Sequence, residues 1–162
     1  MGNVYDEITL KNSGDLVRAK EGLVPENEVR SLTINALADT GAMTLVINED
    51  IRDKLGLSII DMRTGYLAGD MEVFCKITEP VLIFWKDRVS VVHAWVIPGE
   101  GDVLLGVIPL EDMDLMVDPV RQELVGAHGD KFTGSLRGIV NFPRASVRYS
   151  SFVLPLCEDF EA

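Results

Sequence analysis

Apolar residues fall in short runs along the chain, each broken within ten residues or so by Gly, Pro, Asp or Asn, which is the rhythm of brief strands. Residues 4–10 predict a first strand through the partial alternation of Val4, Ile8 and Leu10. Asn12-Ser13-Gly14-Asp15 and Pro25-Glu26-Asn27-Glu28 predict turns. Residues 29–37 alternate imperfectly through Val29, Leu32, Ile34 and Leu37 as a second strand, and 45–47 continue as a third. Asn48 stands where an N-cap belongs, with Asp50 one turn in, Lys54 near the end and Gly56 as the stop, so 49–55 predict a short helix. Residues 71–78, 81–85 and 89–96 predict three more strands, divided by Glu79-Pro80 and Lys86-Asp87-Arg88. The expected class is all-β with one or two short helices, closed on itself.

One segment breaks the ordinary separation of apolar and polar. Leu37-Ala38-Asp39-Thr40-Gly41-Ala42 delivers a carboxylate from an apolar run straight into a glycine turn, and Leu45, Val46 and Ile47 resume the run. A carboxylate at the end of a buried strand is costly to desolvate unless something compensates it. An Asp beside a hydroxyl and a glycine suits a general base that activates water, with Gly41 letting backbone or substrate come close. The plainer alternative is a turn Asp bonding its own backbone, but such turns usually have polar neighbours. Hydrolysis by carboxylates alone needs two acids sharing a proton. No second Asp-Thr-Gly or Asp-Ser-Gly occurs in the sequence, so the other acid is expected from a second copy of the chain.

Composition narrows the alternatives. A chain of 162 residues, 47% hydrophobic, with a mean hydropathy of +0.17, is one domain with a core, about half of what two fused catalytic lobes would require. A net charge of −11 weighs against nucleic acid as a partner. Neither an apolar run of 18 residues nor a charged-then-apolar leader is present, so no membrane partner is expected and the expected location is cytoplasmic. Cys75 and Cys157 lack metal-ligand spacing and read as inert thiols. Only His93 and His128 could serve a Ser-His-acid arrangement, and His93 lies in a strand-like run. The acids Glu100, Asp102, Glu111, Asp112, Asp114 and Asp118 lack the ordered spacing of a calcium loop and read as a solvated face. No metal and no cofactor is expected.

Further along, Val103-Leu104-Leu105-Gly106 follows Asp39 by 67 residues at its glycine, then come Pro109-Leu110-Glu111-Asp112-Met113-Asp114 and Leu115-Met116-Val117-Asp118-Pro119. With Asp39-Thr40-Gly41-Ala42, this order of elements resembles the retropepsin-like aspartic proteases, in particular their single-domain bacterial and archaeal members, over roughly residues 1–126. The resemblance implies a closed β-barrel of the pepsin-lobe kind, one lobe per chain, paired as a homodimer. It implies Asp39, Thr40 and Gly41 as the catalytic turn, with Leu104, Leu105 and Gly106 packed against it. A short helix and a strand are implied after Gly106. It also implies a peptide or protein substrate, hydrolysed by water held between two Asp39 carboxyls.

Between Arg63 and Val73, the stretch Thr64-Gly65-Tyr66-Leu67-Ala68-Gly69-Asp70-Met71 reads either as a plain hairpin or, by its position in the family order, as a flap over the substrate. The expected substrate-binding residues are Ala42, Tyr66, Leu67, Ala68, Gly69 and Asp70, with Val46, Val107 and Ile108 as further lining. The sequence departs from the retroviral pattern here, with fewer glycines and an acid at the tip. Residues 1–130 carry a net charge of −12, whereas 131–157 carry Lys131, Arg137, Arg144 and Arg148 and no acid. That break places a protease domain at 1–128 and a C-terminal extension at 129–162. Two apolar clusters in the extension, 138–143 and 151–156, suit a dimer strand, a segment lying in the cleft, or a packed covering. Two functions follow from the residues: an aspartic endopeptidase, or a catalytically silent scaffold of the same fold used for dimerisation or peptide binding.

Overall fold

A computed structural model describes residues 3–67 and 71–129. Strands β1 (Tyr5–Asn12), β2 (Ser31–Ala38), β3 (Val46–Asn48), β4 (Ile59–Leu67), β5 (Met71–Trp85), β6 (Arg88–Ile97) and β7 (Val103–Leu105) form one sheet in the order β1-β2-β7-β3-β6-β5-β4. Because β1 also pairs with β5, six of them close into a barrel and β4 hangs outside it. The all-β expectation holds, and the barrel closes around Ile8, Leu10, Leu45, Ile47, Val81, Ile83, Val96 and Leu105, all fully buried. Two pairings, β2 with β7 and β3 with β6, are parallel. They bring the chain before and after the Asp39 turn to the same end of the barrel.

Strand β5 explains how the barrel and the outlying hairpin are one object. Its first half pairs with β4 and its second half with β1, while β6 runs beside it along most of its length. The break expected at Glu79-Pro80 is a shift in register between Ile77 and Pro80, not an end of the strand. A proline donates nothing to a ladder and is tolerated at such an irregularity. Thr78 fills the gap: its hydroxyl accepts from Ala94 N at 3.1 Å and its carbonyl meets His93 Nδ1 at 2.7 Å.

The helix at Glu49–Leu55 (α2) is as expected, with Asn48 Oδ1 accepting from Ile51 N and Gly56 left-handed at φ 58°. The turn expected at Asn12-Ser13-Gly14-Asp15 is instead the start of a helix, Ser13–Lys20 (α1), and the described residues hold three short α-helices where one or two were expected. Gly14 in its first turn masks the signal. Asn12 starts it all the same, because its side chain accepts from Asp15 N at 3.0 Å and donates to Leu55 O at 2.9 Å, wholly buried between the two helices. Asp15 in turn holds Arg30 through two bonds, Nε to Oδ2 at 2.6 Å and Nη2 to Oδ1 at 2.7 Å.

After β7 come α3 (Val107–Asp112), β8 (Leu115–Asp118) and β9 (Glu123–Gly126), the last two forming a separate two-stranded ribbon. β9 had no counterpart in the sequence expectation. The ribbon is tied to the barrel by Arg88, buried at the start of β6, whose guanidinium donates to the carbonyls of Met113, Asp114 and Gly129. Asp114, expected on a solvated face, is half-buried and paired with His128 at 2.6 Å and with Arg88 at 3.4 Å. No helix among the described residues is long and apolar enough to cross a membrane. Residues 130–162, and with them the extension apart from Gly129, lie outside the described residues, as do Ala68, Gly69 and Asp70.

The Asp15–Arg30 pair sets an acid dependence. The guanidinium holds the Asp15 carboxyl below the usual carboxylate range, so the stabilisation is complete above that range and is lost as pH falls through the lowered value. Asp15→Asn is expected to cost about 1–2 kcal/mol at neutral pH, discounted because Arg30 is partly solvated. The loss should shrink as pH falls below the usual carboxylate range and Asp15 takes up a proton, measured by urea unfolding across pH.

Candidate active site

The Asp39 turn is a loop held on three sides. Ala38 ends β2, Asp39 N donates to Leu105 O at 3.0 Å, and Ala42 N closes the turn onto Asp39 O at 3.1 Å. Val107 N and Ile108 N donate to the carbonyls of Ala42 and Met43 at 2.9 and 3.0 Å, and Trp95 N donates to Leu45 O at 2.9 Å. Gly106 lies directly beneath. A Cβ there would come within 2.6 Å of Thr44 N and 2.7 Å of Ala42 O, so only a glycine lets β7 turn into α3 this close under the loop. The apolar pair before it divides its tasks: Leu105 is fully buried in the core, whereas Leu104 is half-buried and faces the cleft.

Asp39 is half-buried, and its Oδ1 accepts the Gly41 N–H at 2.8 Å. That bond turns the carboxyl over the loop. Gly41 contributes a second time, because a Cβ at this position would stand 3.1 Å from the same oxygen. Thr40 is exposed beside them.

The carboxyl opens on a cleft of about 730 Å³ whose floor is the loop and β3 with β7 and whose opposite wall is the β4–β5 hairpin. Ala42, Val46, Leu104 and Tyr66 line it with Asp39 and Gly41, so the expected turn and the base of the expected hairpin do meet. Tyr66 is exposed and its hydroxyl bonds Glu72 Oε1 at 3.3 Å across the hairpin. Leu67 ends β4; the expected tip residues beyond it are not described. Val107 and Ile108 do not reach this cleft: Val107 borders a groove of about 500 Å³ on the other side of Asp39 and Thr40, with Leu110, Met116 and Val117, and Ile108 borders a third hollow beside His93. The helix that starts at Val107 turns both away.

Trp95, Val73 and Cys75 belong to the cleft and were not expected there. Trp95 is half-buried on β6, where the alternation of Val89, Val91 and His93 outward carries it to the cleft side of the strand. The hairpin rests on it through Gly65, at which a Cβ would lie 3.1 Å from both the Trp95 ring and Cys75 Sγ. Cys75 is buried, and burial pushes its thiol up, away from a reactive thiolate. Among the described residues no group of His, Cys, Asp and Glu is arranged to hold a metal ion.

Two glycine replacements separate the loop from the hairpin. Gly106→Ala is expected to cost about 1–3 kcal/mol in stability by thermal unfolding, since backbone must shift to admit the methyl. Gly65→Val is expected to leave stability nearly unchanged and to alter Trp95 fluorescence, because the hairpin can lift from the ring.

No curated protein matches the chain. Among solved structures it is similar to "EIAV protease complexed with the inhibitor HBY-793", at 28% identity and a TM-score of 0.40, over 49% of this chain and 76% of that one. The family model described as aspartyl protease matches residues 26–107, just over half of the sequence, running from the approach to β2 through the Asp39 turn and the hairpin to the residue after Gly106. The chain belongs to the aspartyl protease family.

Proposed function

We propose that the chain is an aspartic endopeptidase that works as a homodimer, with Asp39 of each subunit supplying half of the catalytic pair. The observation that carries this reading is the Asp39 carboxyl, held by the Gly41 N–H at the mouth of a peptide-sized cleft in which no second acid of the same chain stands among the described lining residues. A lone carboxylate is a weak catalyst for peptide hydrolysis. Two facing across an axis share one proton, and their apparent pKa values split. The ionised Asp39 takes a proton from water as it attacks the carbonyl carbon. The protonated partner polarises the carbonyl oxygen, and a proton then passes to the leaving nitrogen as the C–N bond breaks.

The same reading gives the other parts their tasks. Thr40, exposed beside Asp39, and the groove lined by Leu110, Met116 and Val117 form the surface offered to the second copy. Tyr66, Leu67 and the hairpin tip at Ala68, Gly69 and Asp70 cover an extended peptide, whose backbone bonds strand fashion and whose alternate side chains enter the cleft.

Purified chain incubated with an unfolded protein mixture from pH 4 to 7 is expected to cleave it, with inhibition by a statine-type compound. Asp39→Asn is expected to lower the rate at least ~10³-fold without loss of the dimer by sedimentation. Cleavage that persists in the variant, or a chain that stays monomeric while active, overturns the reading. A dimer that binds peptide but never cuts it would leave the silent scaffold.

A further inference from the structure

The hollow beside His93, of about 300 Å³, shares Met43, Thr44 and Trp95 with the Asp39 cleft, so the two adjoin along that row. Asp39 itself does not line it. Strand register explains what does. Trp95 stands opposite Ile77, and alternation along β6 puts His93 on the same face as Trp95. Arg63 on β4 stands opposite Cys75, two residues before Ile77 on β5 and so on the same face as well. An arginine and a histidine thereby flank an apolar floor of Ile77 and Trp95, with Met43 and Ile108 bordering it from the loop and from α3.

Charge is divided between the two cavities. Among the described residues, the acid that lines the cleft is Asp39 and no basic side chain does, whereas the hollow is lined by Arg63 and His93 and by no acid. Arg63 Nε donates to Asp61 Oδ2 at 3.0 Å, a bond along one edge of the guanidinium that leaves its two Nη nitrogens for another acceptor. Asp61 is outside the hollow's lining. His93 Nδ1 meets the Thr78 carbonyl at 2.7 Å. A carbonyl only accepts, so Nδ1 carries the proton and Nε2 is the ring nitrogen left to a ligand.

We infer that the hollow is a specificity subsite for an acidic side chain of the substrate, with the methylenes of a glutamate on Ile77 and Trp95, Arg63 as the charge that selects it and His93 Nε2 as a second polar contact. The inference rests on the endopeptidase reading for its consequence, though not for its binding step. An extended peptide sends alternate side chains to one side, and the hollow excludes Asp39, so the residue it reads is removed from the scissile bond. A guanidinium fork favours a carboxylate over a neutral amide of the same shape, because the bonds it makes to the carboxylate are charge-assisted.

The experiment uses fluorogenic peptides that carry Glu or Gln at each position in turn. At one position removed from the scissile bond, Glu is expected to raise kcat/KM over Gln by about fivefold or more on the full chain. Arg63→Met, which keeps the length and removes the fork, is expected to abolish that preference, and Arg63→Glu to reverse it in favour of Lys at the same position. Reversal separates recognition from damage to the hairpin, because a displaced wall loses a preference without inverting it. His93→Gln is expected to lower the preference by a smaller factor; an unchanged preference removes His93 from the subsite. The same peptides are titrated against Asp39→Asn, alone and with Arg63→Met, where binding is read without hydrolysis by the fluorescence of Trp95, half-buried in both cavities, Trp85 being 4% exposed. Hydrolysis with no preference for Glu at any position, or with a preference that survives Arg63→Met, overturns the subsite and leaves the endopeptidase standing. No hydrolysis, with Glu peptides bound more tightly than Gln peptides by Asp39→Asn and equally once Arg63→Met is added, supports the subsite and overturns the endopeptidase instead. No hydrolysis and no difference in binding overturns both.

Discussion

The close approach of Gly106 to the underside of the Asp39 loop is the constraint on which the rest of the site depends. Without a side chain at 106, β7 passes under Ala42 and Thr44 and the first amides of α3 reach the carbonyls of Ala42 and Met43. Those bonds pair the loop's carbonyls with backbone from beneath, and they fix the turn that aims Asp39. The carboxyl is therefore positioned by backbone from three elements far apart in sequence, β2, β6 and β7, rather than by a chain of side chains. A carboxyl held in this way keeps its geometry through most changes of nearby side chains, and is vulnerable to any change that thickens the backbone beneath it.

The same economy appears in the barrel. Strand β5 serves two sheets' worth of partners by changing neighbour at a register shift, and the residues that make the shift possible, Thr78 and Pro80, are those that look most like a chain break in the sequence. The hairpin that walls the cleft is in consequence a direct continuation of a barrel strand. Gly65 then lets it lie on Trp95 instead of standing off from it.

Features with a local cause were legible in the sequence. The α2 helix has its N-cap, charges and stop glycine within nine residues, and the Asp39 turn advertises itself by a charge inside an apolar run. The meeting of that turn with Gly106 was implied by the family resemblance and by no local pattern. What escaped was decided at long range. The α1 helix is secured by Asn12 reaching Leu55 and by Asp15 holding Arg30, neither of which a local pattern shows. Trp95 and Cys75 enter the cleft only because β4 and β5 fold over β6, and a strand's alternation does not say which of its faces will be covered. Val107 and Ile108 look like cleft lining until the helix that begins there turns them into neighbouring hollows.

Arg88 and Gly126 illustrate a different kind of dependence. The guanidinium that ties the ribbon down passes through the space a Cβ at 126 would occupy, with Cζ 3.1 Å from that point. Two positions 38 residues apart thus share one volume, which the arginine can fill only because 126 carries no side chain. The Gly129 carbonyl oxygen, which accepts from the same guanidinium, stands closer still to that point, so shortening the arginine alone does not admit a side chain at 126. Glycine there is required by the backbone of the ribbon's end as well as by its anchor.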